Sequence, residues 1–188
     1  MEWFIQMKIA VLYGGTRDQG NTELLTEKAI HNLDVEKIYL KDHTIVPLVD
    51  QRHSEGGFQE INDGYNSIID RIRDAEVLIF ATPIYWYSMS GTMKLFIDRW
   101  SQTLRDSEYP DFKDTMSSKE AYVIAVGGDN PYIKGLPLIQ QFQYIFDFMG
   151  ISFAGYVIGE GNKPGDIMED SEALFAAEQI QKALNSSK

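Results

Sequence analysis

Residues 7–22 of the chain are Met7-Lys-Ile-Ala-Val-Leu-Tyr-Gly-Gly-Thr-Arg-Asp-Gln-Gly-Asn-Thr22. The first seven residues form a short apolar run of the kind that becomes a buried parallel strand. The glycines Gly14 and Gly15 end this strand, and a helix capped by Asn21 or Thr22 is predicted to continue to about residue 32. A strand that turns through glycines into a helix is typical of an α/β fold with a parallel sheet.

The rest of the chain repeats this alternation of strands and helices. Further strands are predicted at residues 35–40, 76–82, 120–126 and 151–158. Further helices are predicted at residues 65–73, 91–104, 136–149 and around 173–184. We therefore predict a single domain over residues 1–188, an α/β fold whose three layers contain a doubly wound, five-stranded, flavodoxin-like parallel sheet of strand order 2-1-3-4-5. Residues 1–6 precede the first strand and are a candidate N-terminal leader.

The composition narrows the chemistry that the chain can perform. It has 188 residues, a formal net charge of −11 and no cysteine. The acidic balance argues against a nucleic-acid partner, because phosphate backbones bind basic surfaces. Without cysteine there is no disulfide, thiolate site or iron–sulfur cluster, and the three histidines form no metal-ligand motif, so we predict no metal. No apolar run approaches the roughly 20 residues of a membrane-spanning helix, so we expect no membrane partner and a cytoplasmic protein.

The first loop, residues 14–22, has the features of an anion site. Its glycines, including Gly20, let the backbone approach a ligand closely, and free amides at the start of the next helix favour negative charge. The side chains available to an anion are Thr16, Arg17, Asn21 and Thr22. The loop matches neither of the nucleotide-binding glycine motifs, G-x-x-x-x-G-K-[ST] and G-x-G-x-x-G. A plain glycine turn before a capped helix is the alternative interpretation.

The second loop, residues 83–91, begins with Pro83-Ile84-Tyr85-Trp86-Tyr87. Aromatic side chains at the end of a strand are costly to expose, so a ligand or another protein surface should cover them. A planar ring system would do so, and packing on a neighbouring subunit or on the core is the alternative. The third loop, residues 127–135, offers the backbone amides of Gly127 and Gly128 and the ring of Tyr132, which is a candidate to cover a planar ligand. A generic turn is the alternative for this loop.

All three loops fall at one edge of the predicted sheet. In open α/β sheets, ligands bind outside the carboxyl ends of the strands, where the strand order reverses. The first loop offers a phosphate site, and the other two offer surfaces for a flat ring. Together the three loops predict FMN as the cofactor.

Residues 83–99 also resemble a family signature. They are similar to the Pro-x-Tyr-Trp … Lys-x-Phe-x-Asp-Arg pattern of the NADPH-dependent FMN reductase family, and the resemblance extends from Met7 to about Leu184. It implies a flavodoxin-like fold with FMN bound, and it implies phosphate contacts from Arg17, Asn21 and Thr22. It further implies that Pro83, Ile84, Tyr85 and Trp86 line the isoalloxazine ring, and that Gly127 and Gly128 approach from the other side. The family often has a serine where this chain has Gly15, and Thr16 is the substitute donor.

We therefore expect an FMN-dependent NAD(P)H oxidoreductase that acts by a ping-pong mechanism on a quinone, an azo or nitro compound, or free flavin. No catalytic side chain is assigned, because the flavin carries the chemistry. A flavodoxin-type electron carrier and a non-enzymatic, partner-binding flavoprotein are the alternatives. The aromatic residues also predict a homodimer or homotetramer.

Three further expectations concern residues outside the loops. Asp98 and Arg99 are expected to hold loops or a subunit interface, and Trp100 is expected in the core. The polar segment 41–64 is expected to shape a substrate pocket or a dimer contact. Because it lacks the clustered cysteines of iron–sulfur relatives, the sequence excludes an iron–sulfur flavoprotein.

Overall fold

The computed structural model describes residues 7–186, so the candidate leader at residues 1–6 lies outside the described residues. The strands of the described chain are β1 (Ile9–Tyr13), β2 (Val35–Tyr39), β3 (Val77–Pro83), β4 (Glu120–Gly127) and β5 (Ser152–Glu160). Its α-helices are α1 (Asn21–Ala29), α2 (Tyr65–Arg73), α3 (Gly91–Asp98), α4 (Trp100–Thr103), α5 (Phe112–Ser117), α6 (Pro131–Lys134), α7 (Leu136–Met149) and α8 (Ser171–Ser186). The bounds of α2 and α7 coincide with the predicted ranges.

The strands form one parallel sheet in the order β2-β1-β3-β4-β5. Ile9 of β1 pairs with Val35 on one side and with Val77 on the other. The chain therefore moves from β1 to β2 in one direction and then crosses back to β3, so the strand order reverses between β1 and β3. This topology confirms the predicted fold class and places the switch point beside the first and second loops.

Each face of the sheet has its own hydrophobic core. On one face, α2, α3 and α7 cover fully buried rings such as Phe80, Phe96 and Phe142. On the other face, α1 and α8 pack on the sheet with Leu25 and Ala177 buried. Burial from both sides explains why the strands are apolar runs without a polar alternation. Within residues 7–186, no helix is long and apolar enough to cross a membrane.

The structure corrects the single helix predicted at residues 91–104. α3 ends at Asp98 and α4 begins at Trp100, although Arg99 between them keeps a helical backbone with φ −67° and ψ −16°. Trp100 is buried in the core, as expected. The short helices α5 and α6 were not predicted, because six and four residues are too few to show a helical period.

Arg99 is fully buried and holds the segment 41–64 against α3 and α4. Its Nη1 atom donates to Asp63 Oδ2 at 2.7 Å and to Val46 O at 3.0 Å, and its guanidinium lies 4.5 Å from the centroid of the Tyr65 ring. Asp63 also accepts hydrogen bonds from the amides of Val46 and Tyr65. Arg99 therefore holds a loop, which is one of the two roles predicted for Asp98 and Arg99, whereas Asp98 pairs with Lys94 on its own helix.

Candidate functional site

A cavity of about 220 Å³ opens at the carboxyl edge of the sheet, between the first and second loops. Its floor includes Ala81 of β3 and Val126 of β4. The predicted site residues that line it are Thr16, Arg17, Gly20, Asn21, Thr22, Pro83 and Tyr85. The structure therefore brings the whole first-loop set together with part of the second loop, next to the switch point.

The first loop presents unused hydrogen-bond donors to this cavity. Gly20 is the N-cap of α1 and offers no side chain to satisfy the first helical amides. The amides of Arg17 and Thr22 donate to no group within residues 7–186, and the Arg17 guanidinium has no partner in that range. The nearby Lys41, in contrast, is paired with Asp18. Helix N-terminal amides and a guanidinium that have no partner in the described part of the chain make this end of the cavity suited to an anion.

The Asn21 side chain is turned toward the loop that follows β5. Its Nδ2 atom donates to Lys163 O at 2.8 Å, and its Oδ1 atom accepts from the Gly165 amide at 2.9 Å. Both polar atoms of the side chain are thus in use, whereas the backbone amide of Asn21 donates to no group within residues 7–186. A phosphate contact by the Asn21 side chain stays a prediction.

The second loop presents its aromatic side chains through a tight turn. The amides of Tyr85 and Ser88 each donate to the other residue's carbonyl oxygen, at 3.0 and 3.1 Å. Between them, Trp86 and Tyr87 have φ angles of 50° and 63°. Positive φ is uncommon for bulky residues and is often retained for function. The turn leaves Trp86 94% exposed, so its indole is accessible to a ligand or a partner.

Ser90 joins the second loop to the first. Its hydroxyl donates to Gly14 O at 2.7 Å and accepts from the Met93 amide at 3.2 Å, which makes Ser90 the N-cap of α3. A Cβ atom at Gly14 would lie 2.7 Å from Ser90 Oγ, so the close approach of the two loops requires glycine at this position. The Ser90 bonds fix the spacing of the loops on either side of the cavity.

A second, smaller cavity of about 150 Å³ lies between the second and third loops. The predicted site residues that line it are Ile84, Trp86, Gly127 and Gly128. Tyr87 donates to Asp129 at 2.9 Å, and Asp129 pairs with Lys134 at 2.7 Å. Lys134 and the Tyr87 hydroxyl together hold the pKa of the Asp129 carboxyl below its usual range. These bonds fasten the aromatic turn to the third loop.

Tyr132 lines neither cavity. Its hydroxyl donates to both carboxylate oxygens of Asp170, each at 2.7 Å, and its half-buried ring packs against the core. Burial and the hydrogen bond to Asp170 raise the pKa of Tyr132. The role of its ring as a cover for a flat ligand stays a prediction.

The residues that line the first cavity and were missed by sequence reasoning include Tyr13, Tyr39 and Asn162. The rings of Tyr13 and Tyr39 stack with centroids 4.6 Å apart and planes 10° apart. Burial and the hydrogen bond to Glu23 raise the pKa of Tyr39 to about 12, so its hydroxyl is neutral at physiological pH. Both tyrosines end a strand at the sheet edge, a signal that could have identified them. Asn162 follows the last strand, in a segment whose composition marks only a turn.

Comparison with known proteins finds both sequence and structural relatives. The model of the NADPH-dependent FMN reductase family matches residues 7–150. YwqN of Bacillus subtilis (strain 168), named as a candidate NAD(P)H-dependent FMN-containing oxidoreductase, is 65% identical over 176 residues, which cover 94% of this chain and 97% of YwqN. A solved structure described as Trp repressor binding protein from Bacillus subtilis is 60% identical with a TM-score of 0.78, covering 92% of this chain and 96% of its own.

A more distant structure shares the fold alone. The FMN-dependent NADH-azoreductase from Bacillus anthracis, solved in complex with FMN, is 14% identical with a TM-score of 0.62 and covers 95% of this chain and 99% of its own. The family match ends at residue 150, so β5, the loop held by Asn21, and α8 all lie beyond it.

Proposed function

The chain belongs to the NADPH-dependent FMN reductase family, and on this basis we propose that it takes electrons from NADH or NADPH and passes them by a ping-pong mechanism to a small acceptor. FMN is its cofactor, and it is an NAD(P)H-dependent oxidoreductase. The observation that carries the proposal is the first cavity, where α1 begins at Gly20 without a side-chain cap and lies beside Arg17, which pairs with no group among residues 7–186. We further propose that residues 1–188 form a single FMN-binding domain.

The groups at the first loop fit the phosphate of FMN. A phosphate needs several donors and a positive charge, and charge-assisted hydrogen bonds are the strong ones. We propose that the side chains of Thr16, Arg17 and Thr22 contact the phosphate. Gly20 and Asn21 would contribute their backbone amides, because glycine has no side chain and the Asn21 side chain is bonded elsewhere.

We propose that the isoalloxazine ring lies along the second and third loops. Pro83 and Tyr85 line the first cavity, and Ile84, Trp86, Gly127 and Gly128 line the second, so a flat ring that reaches from one cavity to the other would contact all six. The Gly128 amide donates to no group in the described part of the chain and is available to stabilise negative charge at the ring edge.

The bound FMN supplies the hydride acceptance and electron storage that amino-acid side chains lack. The chain contributes binding and access: Ser90 fixes the spacing of the loops, and the exposed side chains of Tyr85 and Trp86 flank an open side. A nicotinamide and an acceptor that both enter from this side must do so in turn, which is the basis for the ping-pong proposal. Flat acceptors such as quinones, azo and nitro compounds or free flavin suit the exposed aromatic rings.

An absorbance titration of the purified, FMN-reconstituted protein tests the cofactor and the electron donor together. We expect a flavin band that bleaches when NADPH or NADH is added without oxygen, and that returns when a quinone is added. Equal concentrations of the two nucleotides, compared side by side, give the donor preference. A protein that retains FMN but is bleached by neither nucleotide would contradict the proposed electron donor.

Steady-state kinetics test the order of the two half-reactions. When the quinone concentration is varied at several fixed NADPH concentrations, we expect parallel lines in a double-reciprocal plot, because the first product leaves before the acceptor binds. Intersecting lines would mean that both substrates are bound together, and the ping-pong mechanism would then be wrong.

The two alternative functions give different results in the same titration. A flavodoxin-type electron carrier would bind FMN, but neither nucleotide would bleach it. A partner-binding protein without turnover is the second alternative, and it draws on the name of the 60% identical structure, Trp repressor binding protein. Such a flavoprotein would hold FMN, but NADPH or NADH supplied together with a quinone would give no turnover.

We also propose that the chain assembles into a homodimer or homotetramer. Trp86 is exposed at the aromatic turn, and Tyr144 and Phe148 are exposed one turn apart on α7, beside a groove that contains Ile97 and Leu104. Apolar surface of this kind is often covered by a partner. Light scattering at micromolar protein concentration should report more than one chain per particle, and a monomeric mass would contradict the proposal.

A further inference from the structure

The loop that follows β5 contacts both ends of the candidate site. We call residues 161–166 the closing loop. Asn162 lines the first cavity, and the Gly161 amide donates to Gly127 O at 2.9 Å, which ties the closing loop to the third loop. The Asn21 side chain ties it to the start of α1. The closing loop therefore spans the gap between the phosphate end and the ring end of the site, although it lies beyond the family match.

Two asparagines at this cavity use their side chains in opposite ways. Asn21 is only 8% exposed, and both polar atoms of its side chain are bonded to the closing loop. Asn162 is exposed, and within residues 7–186 only its backbone amide has a partner, the Oδ2 atom of Asp166 at 3.1 Å. The carboxamide of Asn162 is therefore free to bind a ligand, whereas that of Asn21 is fully occupied in holding the loop.

Tight packing fixes the position of Asn162. A Cβ atom at Gly128 would lie 2.9 Å from the Asn162 Cβ, and a Cβ atom at Gly161 would lie 2.7 Å from Asn21 Nδ2. Asp166 also accepts the amide of Lys163, at 2.7 Å, so the loop turns around this carboxylate. Because neither glycine could carry a side chain without moving an asparagine, the approach of the closing loop to the site depends on both.

We propose that Asn162 is a cofactor-binding residue and that Asn21 is the positioning residue that holds it at the cavity, an inference that rests on the proposed FMN site. Asn162 stands between the first loop and Gly128, so it meets the hydroxyl-bearing chain that joins the phosphate of FMN to its ring. A carboxamide both donates to and accepts from hydroxyl groups, which suits such a chain. Asn21 acts on this contact through the carbonyl of Lys163 and the amide of Gly165.

The affinities for FMN and riboflavin test the two roles, because riboflavin has the same hydroxyl-bearing chain and ring but no phosphate. We would measure both dissociation constants from the quenching of flavin fluorescence, using the wild type, Asn162→Ala, Asn21→Ala and the double variant. Asn185→Ala, at the exposed end of α8, is the matched control. The melting temperature of each apoprotein reports folding separately.

We expect Asn162→Ala to raise the dissociation constants for FMN and for riboflavin by the same factor, about tenfold, because one hydrogen bond is lost and no phosphate contact changes. The melting temperature should stay that of the wild type. Asn21→Ala should also lower the affinities for both flavins by equal factors. The double variant should bind no more weakly than the single variant with the lower affinity, because both changes remove the same contact. Asn185→Ala should bind as the wild type does.

Other outcomes would overturn the inference. If Asn21→Ala lowered the affinity for FMN but not for riboflavin, and if this loss added to the loss in Asn162→Ala, Asn21 would be a direct phosphate ligand. If Asn162→Ala bound both flavins like the wild type, Asn162 would not be a cofactor-binding residue.

A second variant keeps the positioning role testable if Asn21→Ala fails to fold. Gly165 has a φ of 89°, and a Cβ atom added there would meet no atom of residues 7–186 within 4 Å, so Gly165→Ala should displace the closing loop without filling the cavity. It should reproduce the equal loss for both flavins, and unchanged affinities would contradict the positioning role. A wild-type protein that bound no FMN would contradict the proposed function itself, an outcome distinct from all of these.

Discussion

The first loop and the segment 41–64 are both polar connections that follow a strand at the carboxyl edge of the sheet, but one charged group of each, Arg17 and Asp63, is used in the opposite way. In the segment 41–64, the Asp63 side chain is only 2% exposed and accepts hydrogen bonds from Arg99 and from two backbone amides. In the first loop, Arg17 lines a cavity and has no partner within residues 7–186.

The difference separates groups that hold the fold from groups that are open to a ligand. Buried polar groups are nearly always bonded, so the contacts of Asp63 are what its position requires. Donors left open together in a concave site are instead available to a molecule from outside. Substitutions at Asp63 should therefore lower stability, and substitutions at Arg17 should lower affinity.

The largest effect is expected for Asp63→Ala. Removing one partner of a buried ion pair leaves the Arg99 charge uncompensated, which costs about 3–5 kcal/mol in the free energy of unfolding. Urea denaturation of the apoprotein measures this loss. The control is Asp98→Ala, which removes the surface pair of Asp98 with Lys94 and should cost no more than about 0.5 kcal/mol. Equal losses in the two variants would remove the distinction between the buried and the surface pair.

The same ion pair predicts a loss of stability in acid. Burial favours the neutral form of Asp63, but the amides of Val46 and Tyr65 and the Arg99 guanidinium outweigh it and hold the pKa of the carboxyl below its usual value. A group whose pKa is lower in the folded state contributes stability that is complete above its unfolded pKa, about 3.9, and is lost as the pH falls through the folded pKa.

Urea denaturation at stepped pH should therefore show a free energy of unfolding that declines in acid. The decline should be shallower in Asp63→Asn, which has no proton to bind at this site. The stability that the wild type loses in acid should be smaller than the stability lost in Asp63→Ala, because the protonated carboxyl of Asp63 still fills the space of the side chain. An unchanged acid slope in Asp63→Asn would mean that other carboxylates set the acid limit.

Arg17→Ala tests whether a charged group that is open to a ligand affects affinity and not stability. Loss of a charge-assisted hydrogen bond to the phosphate should weaken FMN binding by about 10- to 100-fold, while riboflavin affinity and apoprotein stability stay unchanged. Fluorescence titration with both flavins measures this. Arg105→Ala is the matched control, because it removes the same charge from an exposed residue outside both cavities. An equal loss of FMN affinity in Arg105→Ala would assign the effect to net charge.

The fold was predictable because its signals are local. Strands buried on both faces are short apolar runs, and helices on the two faces show an apolar stripe. The end of α7 was predictable from Gly150, which has a φ of 76° and ends the helix in the left-handed conformation. The loops at the switch point followed from topology, since parallel strands place their carboxyl ends at one edge.

The remaining features of the site depend on contacts between distant parts of the chain. Asn21 bonds to a loop more than 140 positions away, and Arg99 bonds to Asp63 across 36 positions. Neither pairing leaves a periodic or compositional signal. The first loop was therefore identified as an anion site. Residue types alone could not predict that the Asn21 side chain holds a distant loop while the Arg17 side chain stays available to a ligand.

The smallest effect is expected at Tyr132, whose hydroxyl holds the fold and whose ring was predicted to contact the ligand. Its hydroxyl is bonded to Asp170, while its ring was predicted to cover the flavin. Tyr132→Phe keeps the ring and should cost about 0.5–1.5 kcal/mol of stability, with FMN affinity unchanged. Tyr132→Leu also removes the ring, and we expect a further loss of a few-fold in FMN affinity from the missing aromatic contact. If the Phe and Leu variants bind FMN equally well, Tyr132 belongs with Asp63 among the residues that hold the fold.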